Sequence, residues 1–238
     1  MEGILAYPVL GTTKILCRRI KRVLMTPKNI LITGSTGRLG RIIAQRFINL
    51  GHVVVGLDRS TDSNLEWPII QVDVTDPDAV ERGFDLFCTQ FGKPDVVIHT
   101  VGYWNMSSLG STTLSDWNTL LDLNLTSSFL VFRESVRRMD NSGCLIAFSS
   151  RQGAVKGAGE QAGYSAAKAG LIRLVESIAS EYAATPLQAH VIAASTILFD
   201  PVETGGVQAS ELASMCVALC SNPKEMNQGP FHEAFGDG

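Results

Sequence analysis

Tyr164 and Lys168 stand four residues apart, a spacing that on a helix turns both side chains to one face and toward one ligand. A phenol with a pKa of about 10 is a poor acid–base catalyst at neutral pH, but a fixed positive charge beside it lowers that value. Ser150 lies fourteen residues earlier, just past the apolar run Cys144–Phe148, where its hydroxyl can hold a substrate oxygen beside the phenol. Together the three suit proton transfer to or from a carbonyl or alcohol oxygen. An isolated Tyr-x-x-x-Lys is common by chance, so the weight rests on the elements that position it.

The principal element is Asn29–Gly40, NILITGSTGRLG. Ile30–Ile32 read as a short buried strand, and Leu39, Ile42, Ile43, Phe47 and Leu50 then recur at helical spacing. Between them Gly34, Gly37 and Gly40 are three apart. Without a Cβ a residue adopts positive φ, lets backbone approach a phosphate, and packs a helix closely on its strand. The free N–H groups and dipole at the helix start favour a diphosphate there, so Thr36, Arg38 and Leu39 join the glycines as expected cofactor contacts. Asp58, which ends the apolar run His52–Leu57, can accept both hydroxyls of an adenosine ribose. Its charge repels a 2′-phosphate and favours NAD, whereas Arg38 and Arg59 keep NADP open. Asp73, Val74 and Gly102, at the ends of later strands, complete the expected cofactor set.

The remaining pattern alternates strands and helices. Ile69–Asp73 is a third strand; Thr75 and Pro77 read as N-cap and first residue of a helix over Asp78–Phe91; Asp95–Thr100 is a fourth strand. A long helix capped by Ser115 runs to Arg138, a further helix spans about Gln161–Ala184, strand six is Ala189–Ala194, a helix covers Glu211–Leu219, and Phe231–Phe235 is a last strand. Such alternation implies an α/β fold: a doubly wound parallel sheet of about seven strands in a single domain. Leu198–Ser210, with Asp200, Pro201, Gly205 and Gly206, reads as a short mobile lid suited to a small or flat substrate.

With 238 residues, 45% of them hydrophobic, the chain can bury a substantial core in that one domain. A net charge of −3 carries no nucleic-acid footprint, and no stretch approaches the length of a membrane span. The five cysteines are odd in number and lack Cys-x-x-Cys spacing, which argues against a disulfide framework and against a metal site and fits a cytoplasmic setting. Cys216 and Cys220 read as small buried apolar residues. Residues 1–28 differ from the body at 29–238: six basic residues against Glu2 give +5 and leave −8 for the rest. Ile15, Leu16, Ile20, Val23 and Leu24 fit a basic amphipathic helix of the membrane-surface or transit-peptide kind. Met25, just ahead of the first strand, favours instead a chain that starts there, or a floppy, disordered extension.

Taken in order, TGSTGRLG (Thr33–Gly40), Asn124 in LDLNL, the pair Ser149–Ser150 and YSAAK (Tyr164–Lys168) resemble the short-chain dehydrogenase/reductase family over roughly residues 28–238. The resemblance implies a Rossmann-type domain in which Tyr164 is the general acid/base, Ser150 orients the carbonyl, Lys168 grips the nicotinamide ribose and depresses the Tyr164 pKa, and Asn124 places a water in a proton relay. It also implies a homodimer or homotetramer, a small-molecule substrate and hydride transfer with NAD, or with NADP. Three departures stand out. The turn is spaced TGxxGxxG rather than TGxxxGxG; His99, Thr100, Val101 and Gly102 replace NNAG; and Ser195, Thr196 and Ile197 replace a Pro-Gly turn, leaving Thr204 as a weak carboxamide contact. The glycine turn, the acidic end of strand two and Trp104 are similar to the dihydropteridine reductases, which makes Tyr103 and Trp104 candidates for an aromatic wall facing a planar substrate. The alternative is a non-catalytic dinucleotide-binding redox sensor or scaffold, which needs the glycines and Asp58 but not the phenol.

Overall fold

The computed structural model describes residues 26–221 and 229–236. The basic segment 1–28 lies outside them apart from Thr26–Lys28. Strands β1 (Asn29–Thr33), β2 (Val53–Asp58), β3 (Ile69–Gln71), β4 (Val96–His99), β5 (Gly143–Ser150), β6 (Leu187–Ala194) and a last strand, Phe231–Ala234, form one sheet. Its order is β3-β2-β1-β4-β5-β6 and then the last strand, with every neighbouring pair parallel. Parallel neighbours need crossovers, supplied by α1 (Arg38–Ile48), α2 (Pro77–Phe91), the pair α3 (Leu114–Leu121) and α4 (Ser127–Arg138), the single turn α5 (Arg151–Ala154), α6 (Ala162–Glu181) and α7 (Ala209–Ser221). Between β6 and α7 run two short paired strands, β7 (Ile197–Leu198) and β8 (Val207–Gln208), so the last strand is β9. The result is the doubly wound α/β domain that the alternation predicts.

Alternation of side chains along each strand divides the core into two layers. Ile30 and Ile32 face α1 and α7 with Ile43, Phe47, Ala213 and Cys216, whereas Leu31 faces the other side with Phe84, Phe132, Val97 and Leu171. Each such side chain, removed wholly from water, contributes roughly 1.5–3 kcal/mol, which is why the sheet interior is apolar on both faces. Cys216 and Cys220 lie in the first layer, buried as expected, with the Cys220 thiol 3.4 Å from that of Cys144.

Two helix starts differ from the sequence expectation, for the same reason. Asp76, not Thr75, caps α2: its carboxylate accepts from the N–H groups of Asp78 and Ala79, with Pro77 in the first helical position as expected. Thr113, not Ser115, caps α3, and it forms a reciprocal capping box with Asp116. In both places two polar residues compete for one cap, and spacing to the first free N–H decides. The long helix expected to Arg138 is also interrupted. Asp122–Thr126 form a wide π-helical turn between α3 and α4, centred on the fully buried Asn124.

Candidate active site

The glycine turn is built as its spacing implies. Gly34 has φ +73°, and a Cβ on Gly40 would lie 2.1 Å from the Gly34 carbonyl oxygen, so α1 can begin this close to β1 only without side chains. Unlike α2 and α3, α1 has no side-chain cap, which leaves its first N–H groups directed at the cleft above them. That cleft, of about 350 Å³, is bordered by every residue expected to hold the body of a dinucleotide: Gly34, Thr36, Gly37, Arg38, Leu39, Gly40, Asp58, Arg59, Asp73, Val74 and Gly102. An uncapped helix start over a side-chain-free cradle fits a diphosphate.

Asp58 is more constrained than its position in sequence suggests. Its carboxylate accepts from the Ser35 hydroxyl at 2.6 Å and the Thr36 hydroxyl at 3.0 Å, and Ser35 in turn accepts the Trp67 indole N–H at 3.1 Å. Burial raises the Asp58 pKa, opposed by those hydroxyls. Ser35 and Trp67 escaped the sequence reading because neither belongs to the glycine pattern; the absence of a side chain at Gly56, where a Cβ would meet Ser35 Oγ at 2.1 Å, is the only trace of the contact.

A second cleft of about 410 Å³ contains Ser150 and Tyr164, together with Trp104, Arg151, Gln152, Gln161, Ser195, Thr196, Gly205 and Phe235. Ser150 closes β5 and Tyr164 lies in the first turn of α6, so sheet and crossover bring the hydroxyl and the phenol together. Lys168, one turn further on, is buried and donates from Nζ to the Phe148 carbonyl at 2.8 Å, with Nζ 5.8 Å from the Tyr164 ring centre. Burial lowers its pKa to about 8. In the Tyr164 phenol burial raises the pKa and the hydrogen bond with Ser150 opposes it. Burial thus favours the protonated phenol.

Gly102 borders the first cleft and lies against Asn124 and Lys168. A Cβ there would lie 3.0 Å from Asn124 Oδ1 and 3.3 Å from Lys168 Nζ. The Asn124 amide donates to the Tyr103 and Leu120 carbonyls at 2.7 and 2.9 Å, and its oxygen accepts the Tyr103 N–H at 3.1 Å. Its side chain is thus a clamp on the Gly102–Tyr103 strand end. The expected aromatic wall divides: Tyr103 borders the first cleft and Trp104 the second, with the Trp104 indole donating to Gln161 at 3.2 Å. Adjacent residues in extended chain point to opposite sides, which separates them.

The departures from the family pattern are accommodated locally. His99 bridges Thr33 at 2.8 Å and Ser127 at 3.2 Å, tying β1, β4 and α4 together, and burial holds it neutral with a pKa of about 3. Ser195 is fixed to the C-terminal segment through its N–H to Ala234 and its hydroxyl to Phe235. Thr204 borders neither cleft. The segment expected as a lid, Leu198–Ser210, begins in β7, passes through β8 into the first turn of α7, seats Phe199 on the Arg38 guanidinium at 3.8 Å, and brings Gly205 to the second cleft.

A parallel sheet with a glycine cradle at the head of its first strand, and a hydroxyl, phenol and ammonium at the head of its fifth, defines a dinucleotide-dependent oxidoreductase of the α/β class. The chain belongs to the short-chain dehydrogenase/reductase family: residues 35–230 match the family model described as enoyl-(acyl carrier protein) reductase. It is 30% identical over 183 residues to the 3-oxoacyl-[acyl-carrier-protein] reductase FabG of Salmonella typhimurium, covering 73% of this chain and 75% of that one. It is 32% identical over 168 residues to the 3-oxoacyl-[acyl-carrier-protein] reductase MabA of Mycobacterium tuberculosis, covering 70% and 68%. In fold it is similar to the aldohexose dehydrogenase of Thermoplasma acidophilum, with a TM-score of 0.79 and 22% identity over 87% of this chain and 92% of that one. The protein is an enzyme of this family, and the sensor alternative is not carried forward. Among the described residues no helix is long and apolar enough to cross a membrane.

Proposed function

We propose that the protein reduces, or in reverse oxidises, a small or planar carbonyl/alcohol pair with NAD, using Tyr164 as general acid/base. The observation that carries this is the convergence of Ser150 and Tyr164 on one cleft, with Lys168 held behind them by the Phe148 carbonyl. Bound at the glycine cradle, the dinucleotide supplies or accepts the hydride. Ser150 donates a hydrogen bond to the substrate oxygen and orients it toward the phenol. Tyr164 then gives its proton to that oxygen in reduction or takes it in oxidation. Burial keeps the phenol in its acid form, which suits reduction at neutral pH. Lys168 grips the ribose and carries the charge that stabilises a phenolate. With its side chain committed to Tyr103 and Leu120, Asn124 offers a relay water only its main-chain carbonyl.

NAD is favoured over NADP because Asp58 brings a carboxylate to the cleft wall, while Arg38 is already stacked on Phe199. Small size of substrate is supported by the short β7–β8 segment, and planarity by the Trp104 rim. The function implies a cytoplasmic reductase, working as a homodimer or homotetramer in the manner of its family. The test is Tyr164→Phe. Binding of NADH is expected to stay within about twofold, and turnover of a ketone, quinone and pterin panel to fall by roughly 10²- to 10⁴-fold. Equal turnover by parent and variant removes Tyr164 from the mechanism.

A further inference from the structure

The second cleft contains one group that the proposed proton transfer does not use. Arg151 follows Ser150 directly and opens α5, so its guanidinium is delivered to the same cleft as the Ser150 hydroxyl and the Tyr164 phenol. It is exposed on the cleft side, and its guanidinium carbon lies 5.3 Å from the centre of the Phe235 ring. That ring belongs to the segment fixed to Ser195, so the cation is braced from below by an aromatic face rather than by a carboxylate. Among the described residues it enters no ion pair. None of the cleft's other lining residues is acidic: they are the amides Gln152 and Gln161, hydroxyls, Gly205 and the rings of Trp104 and Phe235. Arg151 is therefore the one charged side chain among the described residues that line this cleft.

A planar guanidinium held on a ring, with amides beside it and no carboxylate on it among the described residues, matches a carboxylate or phosphate group. We infer that Arg151 anchors an anionic group of the substrate, and that the substrate class is small carbonyl or alcohol compounds carrying a carboxylate or phosphate. This rests on the reductase reading above and narrows it. The anchor works on ground state and transition state alike, so its loss appears mainly in KM.

The test uses matched pairs differing only in charge: 2-oxobutanoate and 3-oxobutanoate against their methyl esters, and dihydroxyacetone phosphate against dihydroxyacetone, each with NADH and NADPH. The expected result is a preference for the anionic member of about tenfold or more in kcat/KM, with the carboxylate and phosphate arms separating the two sources. Arg151→Gln is expected to erase that preference, largely through KM, and Arg151→Lys to restore part of it; thermal midpoints establish that both variants fold. Equal use of acid and ester by the parent, or a preference that survives in Arg151→Gln, overturns the anchor while leaving Tyr164 catalysis standing. If no probe is turned over, calorimetric binding of the same anions to the NADH-loaded protein decides: binding abolished by Arg151→Gln supports the anchor even as the reductase reading fails, and absent or unaltered binding overturns it.

Discussion

Asp58 shapes the glycine turn and, under the proposed function, is also the acceptor for the adenosine ribose. Its oxygens already accept from Ser35 and Thr36, so it holds the glycine turn in shape before any ribose arrives. The same residue also borders the cleft. Replacement by Asn keeps the size but removes the charge and puts an N–H₂ donor where the hydroxyls donate. Asp58→Asn is therefore expected to weaken NADH binding by about tenfold, as loss of a charged hydrogen-bond acceptor does, and to weaken NADPH binding less, so that the NADH/NADPH affinity ratio falls. Fluorescence titration of both nucleotides measures that ratio. A ratio that stays constant would mean that the residue shapes the turn only.

At the level of elements, the glycine turn and the π-helical turn are the two pieces of backbone that cannot be exchanged for ordinary helix. A side chain on Gly40 would drive into the Gly34 carbonyl at 2.1 Å, whereas one on Gly51, at the end of the same crossover, would meet nothing within 4 Å. Gly40→Ala is expected to abolish measurable NADH binding, and Gly51→Ala to leave it within about twofold at a modest cost in stability from its positive φ; nucleotide titration with thermal melts separates the two. Asn124→Ala leaves the Tyr103 N–H and two carbonyls without the Asn124 side chain, and an expected loss of roughly 1–2 kcal/mol follows from removing these partly buried hydrogen bonds. These two turns were unequally legible in the sequence. The glycines are visible because they are the residue type the geometry demands. The wide turn at Asp122–Thr126 is not, because Leu120, Leu121, Leu125 and Phe129 keep an unbroken helical period through it, and only the burial of a polar Asn in that stripe hints at it. The same limit applies to His99, Ser35 and Trp67, whose roles are set by partners on strands distant in sequence, and to Tyr103 and Trp104, whose division between two clefts depends on backbone direction. Strands and crossovers, by contrast, were set by period and apolar runs, and the structure follows them to within a few residues.

Across the whole molecule, buried histidines set the response to acid. His99 and His190 are buried with pKa values lowered to about 3 and about 4, and burial lowers His52 and His232 as well. His190 and His232 meet at 3.1 Å, so protonating one leaves the other poorly placed to follow. In the unfolded chain these imidazoles take up protons below about pH 6.5, while in the folded protein His99 and His190 refuse them until about pH 3 and about pH 4, and His52 and His232 take them up at lower pH than when unfolded. The unfolded state therefore binds more protons in that window, and stability falls as pH falls. Each histidine that stays neutral contributes a loss of about 2 kcal/mol between pH 7 and pH 5. Acids enter lower: Asp73 and Glu134, with lowered pKa values, add to the loss mainly below about pH 5, as their unfolded forms begin to take up protons. Asp58, raised by burial, pulls the other way, because it gains a proton more readily folded than unfolded. Urea midpoints are accordingly expected to drop steeply from pH 7 to pH 5, before any carboxylate with a lowered pKa titrates. His99→Asn retains a group able to bridge Thr33 and Ser127 but cannot titrate, so its midpoint is expected to fall less over that interval by about 2 kcal/mol in free energy. A parent midpoint flat between pH 7 and pH 5, or an unchanged slope in His99→Asn, would show that these imidazoles take their protons equally in both states.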